Sequence, residues 1–183
     1  MWYDDAMSQT RGVEPPPAAL DDVRVLHAIW PQLRQSVPFA PLAELPTPVT
    51  ALTELCKSLG RADVQLLEKR DDQTSRVYGG NKVRTLEVLY GLALQQGASH
   101  VYSTGAYGSN HAAASALHAP RVGLVPGAVL YPQPASAAAL DNLELIVSRQ
   151  PRPPIRDLPH WSALPWGIFM QARDGKRRGE RAM

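Results

Sequence analysis

Proline is absent from Val49 to Ala119 and dense on both sides of that stretch, and this distribution constrains where regular structure can form. Pro15-Pro16-Pro17, Pro31, Pro38, Pro41, Pro46 and Pro48 precede it, and prolines return from Pro120 onward. A chain without proline can hold a hydrogen-bonded backbone throughout; each proline removes a donor and clashes with a helical turn. The expected division is therefore a proline-rich extension over 1–40, an α/β body over 41–149 and an irregular basic tail over 150–183. The extension carries one helix, with Val23, Leu26 and Trp30 as a docking face.

At 183 residues and 44% apolar composition, the chain is sized for one respectable core. Its apolar runs fall short of the ~18 residues a spanning helix needs. The start, Met1-Trp2-Tyr3-Asp4-Asp5, has neither a basic n-region nor an apolar h-region, so a cytoplasmic protein is expected. A single cysteine, Cys56, excludes an intramolecular disulfide framework and a multi-cysteine metal site. A net charge of +2 does not argue for a nucleic-acid partner.

Within the body, strand and helix alternate. Thr50 is a candidate cap for a short helix with Leu52, Leu55 and Leu59 on one face, stopped by Gly60. Val64–Lys69 reads as a strand. A helix is expected from about Lys82 to Gln96, with Val83, Leu86, Leu89 or Tyr90, and Ala93 inward, and Arg84, Glu87 and Gln95 outward. His100–Thr104 reads as a strand and Asn110–His118 as an alanine-rich helix. Val122–Val125 begins a third strand, and Ser136–Val147 a third helix with Leu140, Leu143 and Val147 on one face. Pro126, Pro132 and Pro134 should interrupt that third strand or move it to an edge. This alternation is the pattern of a parallel α/β sheet, in which ligands sit at the carboxyl ends of strands.

Two polar clusters fall at such ends. In the first, Gly79-Gly80-Asn81-Lys82, a lysine opens a helix. Taken alone, it reads as a solvated surface cation. Against that, the helix dipole disfavours a cation at this end, the glycines allow close backbone approach, and Asn81 is a candidate cap. Lowering a lysine pKa from ~10.4 to ~7 needs about 4–5 kcal/mol, and a dipole supplies at most ~2 kcal/mol. An activated Lys82 therefore needs burial, or must be held as an imine to an aldehyde cofactor. The second cluster, Gly105-Ala106-Tyr107-Gly108-Ser109-Asn110-His111, is a strand-to-helix turn. It reads either as a plain cap by Ser109 or Asn110, or as an anion site for phosphate or carboxylate. It does not match the dinucleotide fingerprint, and His111 has no second ligand at metal spacing.

Leu45-Pro46-Thr47-Pro48-Val49, Glu68-Lys69-Arg70-Asp71-Asp72, Gly79 to Glu87, and Ser103-Thr104-Gly105 with Ser109-Asn110-His111 stand in order along the chain. Together they resemble the 1-aminocyclopropane-1-carboxylate deaminase / D-cysteine desulfhydrase family over roughly Leu45 to Val147. The resemblance implies a pyridoxal-phosphate enzyme of the tryptophan-synthase-β-like fold, with a partial three-layer parallel sheet. It implies a lyase or deaminase acting on a small amino acid, and a homodimer. Lys82 would be the Schiff-base lysine and would shuttle the α-proton. Asn110 would bond the cofactor ring oxygen, Ser109 would meet the substrate carboxylate or assist proton transfer, and His111 would support the turn. Asn81 belongs to the lysine motif as a neighbour on the cofactor side. The family usually carries a glutamine where Gly108 stands. Its glycine-rich phosphate loop comes from a C-terminal half outside the resemblance, so this chain reads as a C-terminally truncated member with weak cofactor affinity. The alternative is a non-catalytic remnant that cannot retain the cofactor.

Overall fold

The computed structural model describes residues 25–149 and 152–183, and the chain divides between Ser36 and Val37 into two compact units. In the first, a short helix α1 (Val25–Ile29) is followed by a 3-10 turn at Pro31–Arg34, where Trp30 is exposed. Of the docking face expected on this helix, Val23 lies outside the described residues.

The second unit is built on a parallel sheet. Strands β3 (His100–Ala106), β4 (Val125–Tyr131) and β5 (Ile155–Asp157) lie in the order β3-β4-β5, with His100 opposite Val125 and Ala128 opposite Ile155. A separate antiparallel pair joins β1 (Val49–Ala51) to β2 (Leu67–Lys69), Val49 opposite Lys69. The strand expected at Val64–Lys69 is thus shorter than its apolar pattern, and it belongs to this pair rather than to the parallel sheet. Thr50 is part of β1 and caps nothing; helix α2 (Thr53–Ser58) starts after Leu52.

Side-chain alternation along β4 sets the layers. Ala128 and Leu130 face helices α4 (Asn110–His118) and α5 (Ala137–Val147), packing with Ala112, Ala113, Ala116 and Ile146. Val129 faces the other way, under helix α6 (Leu164–Arg177), where a Cβ on Gly167 would lie 3.1 Å from it. Helix α3 (Lys82–Gln95) closes a second cluster, in which Val83, Leu86, Tyr90 and Ala93 meet Val101 of β3 with Ala40 and Leu42. Helices therefore flank the parallel sheet on both faces.

Four expectations are corrected here. Glu87, placed outward, is 1% exposed. Its Oε1 accepts the Leu42 and Ala43 N–H groups at 2.9 and 2.8 Å, and its own carbonyl accepts Ala40 N–H. On α5 the buried residues are Ala139, Asn142 and Ile146, so the inward face is one residue away from the Leu140–Leu143–Val147 stripe. β4 is the central strand despite Pro126, and Pro132 and Pro134 fall beyond its end. Val125 N–H donates toward β3 (Ser99 O) and Ala128 N–H toward Pro154 O beside β5. By alternation the Pro126 nitrogen points to the β5 side, two residues before β5 begins, so no ladder bond is lost. The segment expected to be an irregular tail instead contains β5 and α6. Trp161 and Trp166 stay exposed, and Arg156 pairs with Asp174 at 2.6 Å.

The outer edge of β3 is also covered. Residues 181–183 run alongside it: Ser99 N–H donates to Arg181 O, Met183 N–H to His100 O and Tyr102 N–H to Met183 O. Among the described residues, no helix is long and apolar enough to cross a membrane.

Candidate active site

The first element of the site is the turn into α3. A Cβ on Gly79 would sit 1.8 Å from the Asp72 carbonyl oxygen, and Gly80 adopts φ +116°, so glycine is required at both positions for different reasons. Thr74, fully buried, ties the turn together: its hydroxyl accepts Gly80 N–H and faces the Gly80 and Asp71 carbonyls, each at 2.9 Å. Gly80 N–H also reaches Asp71 O at 2.8 Å, and the Asp71 carboxylate accepts from Arg84 at 2.7 Å. This frame presents Lys82 as the first residue of α3, half-buried. Among the described residues its amine has no hydrogen-bond or carboxylate partner. Asn81 makes no side-chain cap, because it already adopts helical angles (φ −60°, ψ −22°), whereas a cap side chain needs an extended backbone to reach the second or third N–H.

The second element is the turn from β3 into α4. Ser109 is extended, and its Oγ accepts Ala112 N–H at 3.2 Å, so the cap reading of this serine holds. The hydroxyl proton stays available to a further acceptor. The first-turn N–H groups of Asn110 and His111 precede any intrahelical acceptor and face outward from the helix end. Gly105 leaves room for Ser109, whose Oγ would lie 2.6 Å from an added Cβ, and Gly108 packs against Ala139 at a distance no side chain fits. The position where the family usually has a glutamine is thus filled by α5.

The two turns are joined by side chains that the sequence reading did not single out. Tyr78, just before the glycine pair, directs its hydroxyl at Asn110 Oδ1 (3.1 Å) and Asn142 Oδ1 (2.9 Å). Asn142 Nδ2 donates to Gly108 O at 2.9 Å and to Asn110 Oδ1 at 2.6 Å. Buried His118 holds the Tyr78 main chain, its Nε2 lying 3.0 Å from the Tyr78 carbonyl. Its Nδ1 faces Arg121, which only donates, so Nδ1 accepts and Nε2 carries the proton. One signal in the sequence pointed to Asn142: an asparagine in mid-helix on a face otherwise apolar.

Electrostatics link the elements as well. Burial lowers the His111 pKa below its ordinary value, and the Lys82 ammonium lowers it further. Lys82 and His111 therefore share one neighbourhood, with the imidazole neutral. At the far side of the turn, Tyr107 donates to Asp157 at 2.6 Å; that bond raises the phenol pKa and ties the turn to β5. Among the described residues no group of three His, Cys, Asp or Glu side chains is placed to hold a metal.

No protein-family model matches the chain. Curated relatives do. Over 97 residues it is 45% identical to the nocardicin C-9' epimerase of Nocardia uniformis subsp. tsuyamanensis, covering 53% of this chain and 30% of that protein. Over 84 residues it is 46% identical to a putative 1-aminocyclopropane-1-carboxylate deaminase of Pyrococcus abyssi, covering 46% and 24%. Over 79 residues it is 43% identical to the D-cysteine desulfhydrase of Klebsiella pneumoniae, covering 43% and 23%. Among solved structures, that of an ACC deaminase homologue superposes with TM-score 0.65 at 30% identity, covering 82% of this chain and 45% of that one. The chain thus spans less than a third of the length of these curated relatives and under half of the solved one. Within that span, sequence and fold agree in their likeness: the chain is similar to proteins named 1-aminocyclopropane-1-carboxylate deaminase and D-cysteine desulfhydrase.

Proposed function

We propose that this chain forms part of a pyridoxal-phosphate-dependent lyase or deaminase acting on a small amino acid, with Lys82 as the amine that holds the cofactor. The observation that carries this reading is the pairing of Lys82, free of protein partners among the described residues, with a neutral His111 and a locked Asn110 at the carboxyl end of a parallel sheet.

The donor set suits the group. A primary amine at a helix start is matched to a carbonyl, an amide N–H to an ionised ring oxygen, and a hydroxyl beside free helix N–H groups to a carboxylate. When bound, the cofactor supplies an electron sink for the carbanion left after proton loss. The protein's task is then to hold and to move protons. Lys82 Nζ takes and returns the proton on the substrate α-carbon. Asn110 Nδ2 donates to the ring oxygen and keeps it ionised. Ser109 Oγ, already accepting from Ala112, turns its proton to the substrate carboxylate. His111, held neutral, puts no second cation beside Lys82 and supports the turn. Asn81 flanks the amine without a capping bond, so its amide is available on the cofactor side.

The test is an absorbance spectrum of protein incubated with pyridoxal phosphate and desalted, beside Lys82→Ala. The expected result is a visible band retained by the wild type and lost in the variant. No band in a wild type that is folded by circular dichroism would overturn the reading and leave a remnant that does not retain the cofactor.

A further inference from the structure

We propose that Asn142 and Tyr78 are positioning residues that fix which way the Asn110 amide points, using the Gly108 carbonyl as their reference. Asparagine oxygen and nitrogen have nearly the same shape, so an exposed asparagine can offer a donor or an acceptor. What decides is its partners. Gly108 O is a backbone carbonyl and can only accept, so the Asn142 atom 2.9 Å away must be its Nδ2. The second hydrogen of that Nδ2 points at Asn110, 2.6 Å away, and needs an oxygen there. Asn110 Oδ1 is therefore turned inward and its Nδ2 outward. Tyr78 closes the arrangement: its two near neighbours are both oxygens, which suits a hydroxyl that donates. Burial raises the phenol pKa, so the proton is present at neutral pH.

Polarity thus runs from a main-chain carbonyl that no side-chain substitution alters, through Asn142, to the Asn110 amide N–H group. Asn142 is 8% exposed, while Asn110 is exposed, with no acceptor for its Nδ2 among the described residues. A buried asparagine inside α5 is unfavourable for the helix, and here all of its polar atoms are used. The role given to Asn110 rests on the function proposed above; the direction of its amide does not.

Two measurements separate these statements. The first uses the unliganded wild type and side-chain amide NMR. Expected are Asn142 Nδ2 protons protected from exchange with water and Asn110 Nδ2 protons exchanging as freely as those of a surface amide. Protected Asn110 protons beside freely exchanging Asn142 protons would overturn the proposal. The second uses the cofactor-loaded protein and reads the pH at which its visible band interconverts with the ultraviolet form. Asn142→Asp offers only acceptors, so it should flip Asn110 and move that midpoint up by about one to two pH units. Asn110→Ala should move it as far, and the double variant no further. Tyr78→Phe should move it less, because the Asn142–Asn110 bond survives. An Asn110→Ala shift with none in Asn142→Asp would sink the positioning role and leave the proposed function standing. A wild type that shows the expected exchange pattern but takes up no cofactor would sink the proposed function and leave the amide lock standing.

Discussion

Replacing Glu87 by alanine should be among the most damaging single substitutions in the second unit. Its Oε1 accepts two main-chain N–H groups, at Leu42 and Ala43, from a segment more than forty residues away. Leu42 is 3% exposed, so water cannot take over at that position, while Ala43 is half-buried and partly recovers. An orphaned buried donor costs about 1–3 kcal/mol. One cost near the top of that range and one near the bottom give about 3–4 kcal/mol. For a domain of this size, ~1 kcal/mol is ~2–4 °C in Tm, so Glu87→Ala should melt about 6–16 °C lower. Glu87→Gln keeps an oxygen in place and loses only the charge-assisted part, about 1 kcal/mol. Urea unfolding followed by circular dichroism gives both values, and the exchange rate of the Leu42 amide shows whether the segment detaches. A Glu87→Ala loss under about 1 kcal/mol, or a glutamine as harmful as the alanine, would refute the reasoning.

Gly91→Ala should destabilise although alanine is the better helix former. The new Cβ would meet the Pro38 carbonyl oxygen at 2.3 Å, and overpacking of this kind costs about 1–3 kcal/mol, read by thermal melts. Histidine titration provides a further check. His111 and His118 both have folded pKa values below the unfolded ~6.5, burial being the first cause in each. The unfolded chain then binds protons more readily, so their contribution to stability is present above pH ~6.5 and is lost as pH falls through the lowered folded values. The expected outcome is a Tm that declines below neutrality. NMR titration should also show the His111 midpoint rising in Lys82→Ala, where the neighbouring ammonium is gone.

What the sequence made legible was local. Asn110–His118 forms a helix with the bounds read from its composition, and Lys82 opens α3 as expected, because caps, glycines and apolar spacing are short-range signals. What escaped was set by distant partners. Glu87 looks like a solvated residue until the Leu42 and Ala43 N–H groups arrive, and Asn142 looks misplaced until Gly108 and Asn110 do. The α5 stripe failed for that reason: polar Asn142 took the centre of the inward face, leaving Leu140 exposed and Leu143 at the cluster's margin. Helix α6 failed for the opposite one. Its buried residues, Gly167, Gln171 and Gly175, recur every four positions but are small or polar, while Trp166, Ile168 and Phe169 face outward. A search for apolar periodicity finds no buried stripe there. The β1–β2 pairing was out of reach because three-residue strands carry no period of their own.

The short run of main chain along the outer edge of β3 acts as a guard. An uncovered strand edge offers a row of unpaired donors and acceptors to any other extended chain. Here that row is satisfied by residues 181–183, held by main-chain bonds, by Arg181 N–H donating to Ser99 Oγ and by the Tyr102–Glu180–Arg178 side chains at their base. Glu180 accepts from both Tyr102 and Arg178, and the arginine holds its carboxyl below the usual carboxylate range. Resting on few bonds, the guard can lift in a small opening of the kind that needs far less free energy than global unfolding. When it lifts, β3 becomes a template while the rest of the sheet stays folded. Self-association of this chain would then begin from a nearly native molecule, one edge at a time, and acid strong enough to protonate Glu180 would loosen the latch.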